Sequence, residues 1–460
     1  MPRSQITTTL ARERAAAGKL LRKDVPREAH GHYEPASGRP DPLEMLDALA
    51  KRRLPFLIPL RDERIAETPF TYFRGTSIVM ACDLANTPKT GLTVQACGDA
   101  HCLNFGGFAS PERNLLFDVN DFDETLPGPW EWDVKRLVTS ILIAGRDGGH
   151  TGDEAREAAS ATAAAYRLHM RTLATLPALD VWYARLDATK ILDEAKTIAA
   201  KRRRRKIGEQ VATETIHATV EKLTSGTGFA RRFIEDPPKL FHSSATEEKG
   251  FDVDAILTDY RTTLSPDMQH LLSRYRQVDH AMKVVGVGSV GTRCAIALFV
   301  ADDHDPLLLQ VKEALPSVLE GYVAPSAYAT HGERVVRGQR LMQAASDAFL
   351  GWASSGKHDF YVRQFKDMKA SADLDGVGPG ELRVYGRFCA YALAAAHARS
   401  GDAAAIAGYL GAGKAMDRAL VEFAEAYADQ NEADYVHFSA PRLASGDQTR
   451  THDTQLARKV

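Results

Sequence analysis

The chain has 460 residues, of which 44% are hydrophobic and 26% charged, with a formal net charge of -2 at pH 7. That length allows a large buried core and predicts two to four domain-sized units, and the composition is that of a globular chain rather than a disordered or disulfide-stapled one. Near-neutrality removes any global attraction to nucleic acid or anionic membrane, and no apolar run reaches bilayer length, so neither partner is expected.

Residues 1–60 read as an N-terminal helical extension of short helices broken by proline. Its basic, alanine-rich start lacks the continuous apolar core of a secretory signal. Residues 61–235 form a first helical unit around an acid-rich loop. Within it, Thr93 to Cys97 alternates as a strand and runs into Gly98; "GGFASPER" is a turn and "NLLFDVNDF" a second strand, so a loop followed by a hairpin is predicted. Residues 133–225 are alanine-rich at helical spacing. The run "KRRRRK" (201–206) has acids around it and reads as a solvated helix face. Residues 236–268 are a linker and connecting helix, 269–365 a small β unit, 366–445 a second helical part, and 446–460 a flexible tail. The five cysteines, Cys82, Cys97, Cys102, Cys294 and Cys389, form no CxxC pair. This predicts reduced thiols and a cytoplasmic setting.

The β unit contains Gly286-Val-Gly288-Ser-Val-Gly291, a literal GxGxxG. Such a motif serves dinucleotide-binding folds, kinase folds and plain turns alike. In a dinucleotide fold a helix must follow the glycines. Here "TRCAIALFVA", a "DDHDP" turn and "LLLQVKEA" follow, which is strand, turn, strand. That layout suits a glycine hairpin over nucleotide phosphates followed by a strand carrying a lysine, with a structural hairpin and a surface lysine as the lesser alternative. Strand parity puts Leu308, Gln310 and Lys312 on one face and Leu307, Leu309 and Val311 on the other.

The stretch "GDAHCLNFGGFASPERNLLFDVNDFDE" crowds Asp99, His101, Asn104, Asp118, Asp121, Asp123 and Glu124. Carboxylates at this density repel one another, so a cation should offset them. Phosphoryl transfer needs one carboxylate to orient the acceptor hydroxyl, and an Asn with a second Asp to hold Mg2+ on nucleotide phosphates. Asp99, Asn104 and Asp121 fit those places; Asp118 has the opposite strand parity. Arg74, just upstream in "FTYFRGTS", either binds an anionic group or braces these acids.

"CGDAHCLNFG…NDFDETLPGPWEWDVKRL" resembles the catalytic segment of aminoglycoside and choline phosphotransferases, which have the protein-kinase-like fold. The resemblance implies Asp99 as the catalytic residue, Asn104 and Asp121 as metal ligands, and Asp133 as a structural acid. It also implies ATP and Mg2+ as cofactors. Gly286, Gly288 and Gly291 would cover the phosphates, and Lys312 would bind phosphate oxygens. A glutamate paired with Lys312 would be Glu320 or, preferred, Glu333. A hinge to adenine in "DFYVRQF" would centre on Val362. Cys97 stands where those enzymes usually have His. The order of motifs is also shifted, with the acid loop preceding the lysine, which implies a circular permutation.

The whole chain resembles a bacterial family known as domain of unknown function 2252, through "RGTS", "GDAHCLNFG", "NDFDE", "VVGVGSVGTRC", "LQVKEA" and "YVRQFKDMK". The expectation is an α+β, two-lobed, permuted kinase-like fold that transfers phosphate from ATP to an acceptor, a small molecule rather than a protein. A nucleotide-binding regulatory module and nucleotidyl transfer are the alternatives.

Overall fold

The computed structural model describes residues 10–187, 216–242, 251–284, 286–365, 370–371 and 373–456, with backbone alone for 370–371 and 441–456. The basic run 201–206 lies outside the described residues. The protein is α+β, with antiparallel sheets.

The N-terminal region carries helices α1 (Ala11–Leu20), α2 (Pro42–Ala50) and α3 (Ile58–Ile65), with short 3-10 turns between them. Proline opens α2 and stands in the first turn of α3, where its missing N–H costs nothing. Helices α4 (Pro69–Gly75) and α5 (Ser77–Ala85) follow. Strand β1 (Thr93–Ala96) leads into the acid loop, and the hairpin β2 (Phe105–Ala109) and β3 (Leu115–Val119) comes next, as the turn residues predict. Strand β4 (Leu126–Pro129) returns antiparallel to β1 and feeds α6 (Trp130–Asp147).

Helix α6 has sixteen of its residues buried, from Trp130 to Gly145, and so sits at the centre of the helical region. Around it pack α7 (Gly152–Leu173) and the helices Pro379–Ser400 and Ala415–Leu456. Small residues (Ala158, Ala159, Ala163, Ala392, Ala395 and Ala396) belong to this core and let the helix axes approach closely. The last helix carries on to Leu456, through most of the segment expected to be a flexible tail.

The second region is a six-stranded antiparallel sheet. After the short strands β5 (Leu186–Asp187), β6 (Thr224–Ser225) and β7 (Arg232–Phe233), its strands are β8 (Leu240–Phe241), β9 (Arg276–Lys283), β10 (Cys294–Asp302), β11 (Asp305–Ala314), β12 (Gly351–Ser355) and β13 (His358–Gln364), in the order β12-β13-β11-β10-β9-β8. One face, with Ala295, Ala297, Phe299, Leu309, Val311 and Phe360, packs on Ile256, Leu257 and Tyr260 of the helix Val253–Thr262. The other face buries Ile296, Leu298, Val300 and Leu308 against Val220, Phe233 and Leu240. Burial on both faces explains why these strands read as nearly unbroken apolar runs.

The helix His331–Met342 joins the two regions. Its Arg334 is fully buried and donates to three carbonyls, those of Thr125, Asp123 and Leu315. The end of β11 is thereby fastened to the acid loop. At the back of β1, Gln95 N donates to Ser400 Oγ at 3.1 Å, so the end of the helix Pro379–Ser400 abuts the start of the strand that enters the acid loop. Among the described residues no helix is long and apolar enough to cross a membrane, and all five cysteines are free and buried.

Candidate functional site

A cleft lies where the six-stranded sheet meets the helical region. It encloses about 890 Å3 counted to its open mouth, with about 120 Å3 of room for water-sized spheres. Asp99, Asn104, Asp121, Gly286 and Gly288 all line it, although the two groups are far apart in sequence.

The acid loop is shaped by its backbone. Gly98 has φ +80, and a Cβ there would stand 2.4 Å from the carbonyl oxygen of Glu124, so only glycine fits. Asp133, in the first turn of α6, accepts from Cys97 N at 2.6 Å and Gly98 N at 3.0 Å, and lies 3.1 Å from His397 Nε2. These bonds fix the start of the loop. Asn104 Nδ2 donates to the Asp99 carbonyl at 2.8 Å and ties its far end, leaving the amide oxygen of Asn104 to the cleft.

Asp99 is held through its Oδ1 by Arg136 Nε at 2.6 Å. Arg136 is itself fixed, donating to the Phe73 carbonyl at 3.0 Å with its guanidinium 4.4 Å from the Phe73 ring centre. Burial lifts the Asp99 carboxyl above its ordinary value, against the pull of Arg136. Burial, aided by Arg74 and Arg136, holds His101 well below its ordinary value, so it is neutral at pH 7. Asp121 Oδ1 accepts from Asp123 N at 3.1 Å, a local turn bond that leaves the carboxylate without a cationic partner among the described residues. Asp118 is turned away: it accepts from Val119 N and Ala344 N at 2.9 Å each and lies 3.4 Å from Arg399.

The glycine segment joins β9 to β10, which are paired antiparallel, so it is a hairpin turn and no helix follows it. Gly286 (φ +68) and Gly291 (φ +90) take conformations that other residues rarely adopt. The loop is tied to the N-terminal helical region: Arg64 donates to the Gly286 carbonyl at 2.6 Å, Arg53 to that of Val290 at 2.7 Å, and Leu54 N to that of Gly291 at 2.7 Å. Ser289 Oγ reaches Asp123 at 3.4 Å.

Lys312 lies behind the cleft wall, with 3% of its side chain exposed, and is ion-paired with Asp123. Tyr361 donates its hydroxyl to the other Asp123 oxygen at 2.8 Å. Burial works against both charges, yet the pairing holds Asp123 below its ordinary value and Lys312 well above. The expected glutamates do not reach Lys312. Glu333 pairs with Arg337 one turn along its own helix at 3.4 Å, and Glu320 lies 3.7 Å from His331 and 3.9 Å from Arg334. The acid loop enters from the opposite side of the cleft and reaches the ammonium instead. Glu313 faces Arg293 and His358.

Val362 is not brought to the cleft. It is fully buried in the β13 core face with Val311, and β13 is paired on one side with β11 and on the other with β12. Parity places its neighbours on the cleft side instead: Tyr361 meets Asp123, and Arg363 donates to Gln310 at 3.0 Å and to the Asn120 carbonyl at 3.3 Å. Sequence reasoning also missed Arg136 and the Asp123–Lys312 pair. The only signal for Asp123 was its place two residues after Asp121.

The donor set suits a hard cation completed from outside. Among the described residues no group of three or more His, Cys, Asp or Glu is placed to hold a metal alone. Asn104 and Asp121 both line the cleft and each carries a side-chain oxygen, and Mg2+ characteristically takes one or two protein ligands and completes its shell with waters and phosphate oxygens.

No curated protein and no solved structure matches this chain. Residues 53–441 match the model of a family described as an uncharacterized protein conserved in bacteria (DUF2252), and over that span the acid loop, the glycine hairpin and Lys312 are all included; the chain belongs to this family.

Proposed function

We propose that the protein is a magnesium- and ATP-dependent phosphotransferase that acts on a hydroxyl of a small-molecule acceptor, with a permuted kinase-like arrangement of its parts. The observation that carries this reading is the meeting of Asp99, Asn104, Asp121 and the glycine hairpin in one cleft, with Lys312 directly behind its wall. The contact of Gln95 with Ser400 supports the permutation, because a chain in kinase order would pass from that helix straight into β1.

Mg-ATP bound in the cleft would supply the phosphoryl group and positive charge against the acids. The chain's own part is positioning. Asn104 and Asp121 would offer oxygens to the metal, the hairpin amides would lie over the phosphates, and Asp99 would hold the acceptor hydroxyl and accept its proton on a carboxylate oxygen. Lys312, fixed by Asp123, sets the positive potential beneath the hairpin. The 120 Å3 of open room is below the roughly 300–1,000 Å3 of small-molecule pockets. The reading therefore requires the Gly286–Gly291 hairpin to move off Asp123 for a nucleotide to enter, which breaks the 3.4 Å Ser289 contact and must carry along or break the bonds from Arg64, Arg53 and Leu54.

One observation favours the second reading, a nucleotide-binding module without transfer: Arg136 already occupies an oxygen of Asp99. The two readings part on Asp99→Ala. With Mg-ATP and a panel of hydroxyl metabolites, ADP release should fall by about 10²–10⁴-fold in the variant while nucleotide affinity stays intact. No ADP release from either protein, with nucleotide still bound, would shift the reading to the module; equal release from both would take Asp99 out of the transfer step.

A further inference from the structure

Most charges around the cleft are matched. Asp99 has Arg136, Asp123 has Lys312 and Glu313 has Arg293, while Glu124 accepts from Val318 N at 2.7 Å. On the cationic side Arg53 and Arg74 both line the cleft, each without a carboxylate partner among the described residues and with a buried Nε that finds no acceptor. Arg53 donates to the Val290 carbonyl, but no hydrogen bond among the described residues holds the Arg74 side chain. Arg74 stands in the last turn of α4. Its guanidinium lies 5.8 Å from the centre of the Phe70 ring. Taking a guanidinium N–H out of water without an acceptor is unfavourable, and a role in bracing the acid loop would require bonds that Arg136 makes instead. A second buried polar atom without a partner, His101 Nδ1, belongs to the same wall.

The position of Arg74 assigns it to one side of the cleft. It is close enough to Asp99 and His101 to act on the titration of both. A Cβ on Gly288 would stand 3.7 Å from the Arg74 carbonyl, so the backbone at Arg74 lies against the tip of the hairpin. Arg53 is the guanidinium on the hairpin side: it donates to Val290, and a Cβ on Gly291 would stand 3.1 Å from its own Cβ.

We propose that Arg74 recognises an anionic group of the acceptor, so that the acceptor carries a phosphate or carboxylate in addition to the hydroxyl that is phosphorylated. This rests on the phosphotransferase reading and narrows it. The planar guanidinium fork matches both oxyanions, and no other unmatched cation flanks Asp99 among the described residues. Such an acceptor departs from the cationic ones of the aminoglycoside and choline phosphotransferases that the acid loop resembles.

The test is calorimetric titration of inorganic phosphate into the 460-residue chain saturated with Mg2+ and a non-hydrolysable ATP analogue. Wild type should bind phosphate, more tightly at low ionic strength. Arg74→Gln should weaken that binding by at least about tenfold, the loss of one charge-assisted contact, and change analogue affinity by less than about twofold. Arg74→Lys, which keeps the charge and loses the fork, should fall between. The proposal is overturned if loaded wild type does not bind phosphate, if Arg74→Gln leaves phosphate binding unchanged, or if the variant loses the analogue instead, which would give Arg74 to the nucleotide. If the analogue does not bind at all, the phosphotransferase reading fails on its own, and phosphate titrated into the unloaded proteins decides Arg74 by the same comparison. Should Arg74→Gln fail to fold, phosphate binding in Arg74→Lys equal to wild type and insensitive to salt would overturn the proposal.

Discussion

Lys312 of β11 is paired with Asp123 of the acid loop, 189 residues earlier in the chain, and this pair joins the sheet to the helical region directly behind the cleft. The two partners are unequally exposed, at 3% for the Lys312 side chain and 27% for Asp123. Asp123→Asn strands an ammonium that water cannot reach and should cost about 3 kcal/mol. Lys312→Met leaves a carboxylate that keeps the Tyr361 hydroxyl and can take water, so about 1 kcal/mol is expected. Urea denaturation measures both. A larger loss in Lys312→Met would mean that the lysine is better solvated than its burial indicates.

Asp121 and Asp118 separate metal binding from stability. Among the described residues the Asp121 side chain makes only the local bond to Asp123 N, so Asp121→Asn should leave the unfolding free energy nearly unchanged while weakening Mg2+-dependent nucleotide binding. Asp118 takes two backbone N–H bonds and faces Arg399. Asp118→Asn should therefore cost about 2 kcal/mol of stability and leave nucleotide binding alone. If Asp118→Asn has the greater effect on nucleotide binding, the metal site is misplaced.

Glu124 gives a pH test. Burial pushes its carboxyl from the usual 4.5 up to about 7, more than the Val318 N–H and Arg334 lower it. A carboxylate with a raised folded-state pKa keeps its proton in the native state after the unfolded chain has lost it. Its contribution to stability therefore falls as pH rises from about 4.5 to 7 and is level above that. Glu124→Gln removes the titration, so the variant should gain about 1–3 kcal/mol relative to wild type between pH 4.5 and 7.5. Denaturation at the two pH values checks this. A difference that does not change with pH would contradict the assignment.

Local signals carried much of this architecture. The glycine segment was readable as a hairpin because a strand-forming run follows it, with no helix start. Parity along β11 and β3 put Lys312 on the side of the acids and turned Asp118 from the cleft. These features depend on spacing within one segment. The partner of Lys312 depends on how two distant segments dock: local order points to Glu320 or Glu333 on the helical segments that follow, and nothing in the spacing signals Asp123 as its partner. Val362 was misjudged for a related reason: in β13 alternate residues face opposite sides, and the sheet continues past it to β12, which occupies the edge a hinge would need free. Arg136 and Arg74 look alike in sequence, each an arginine near the acid loop. Only packing makes one a clamp on Asp99 and leaves the other unmatched.

The central claim is that this cleft binds ATP through a metal held by Asn104 and Asp121, and calorimetric titration of ATP with and without Mg2+ tests it most directly. Wild type should bind ATP in the presence of Mg2+ and bind it at least about tenfold more weakly without, and Asp121→Asn should lose most of that difference. ATP that fails to bind wild type under either condition, or that binds equally with and without Mg2+ and equally to Asp121→Asn, would contradict it.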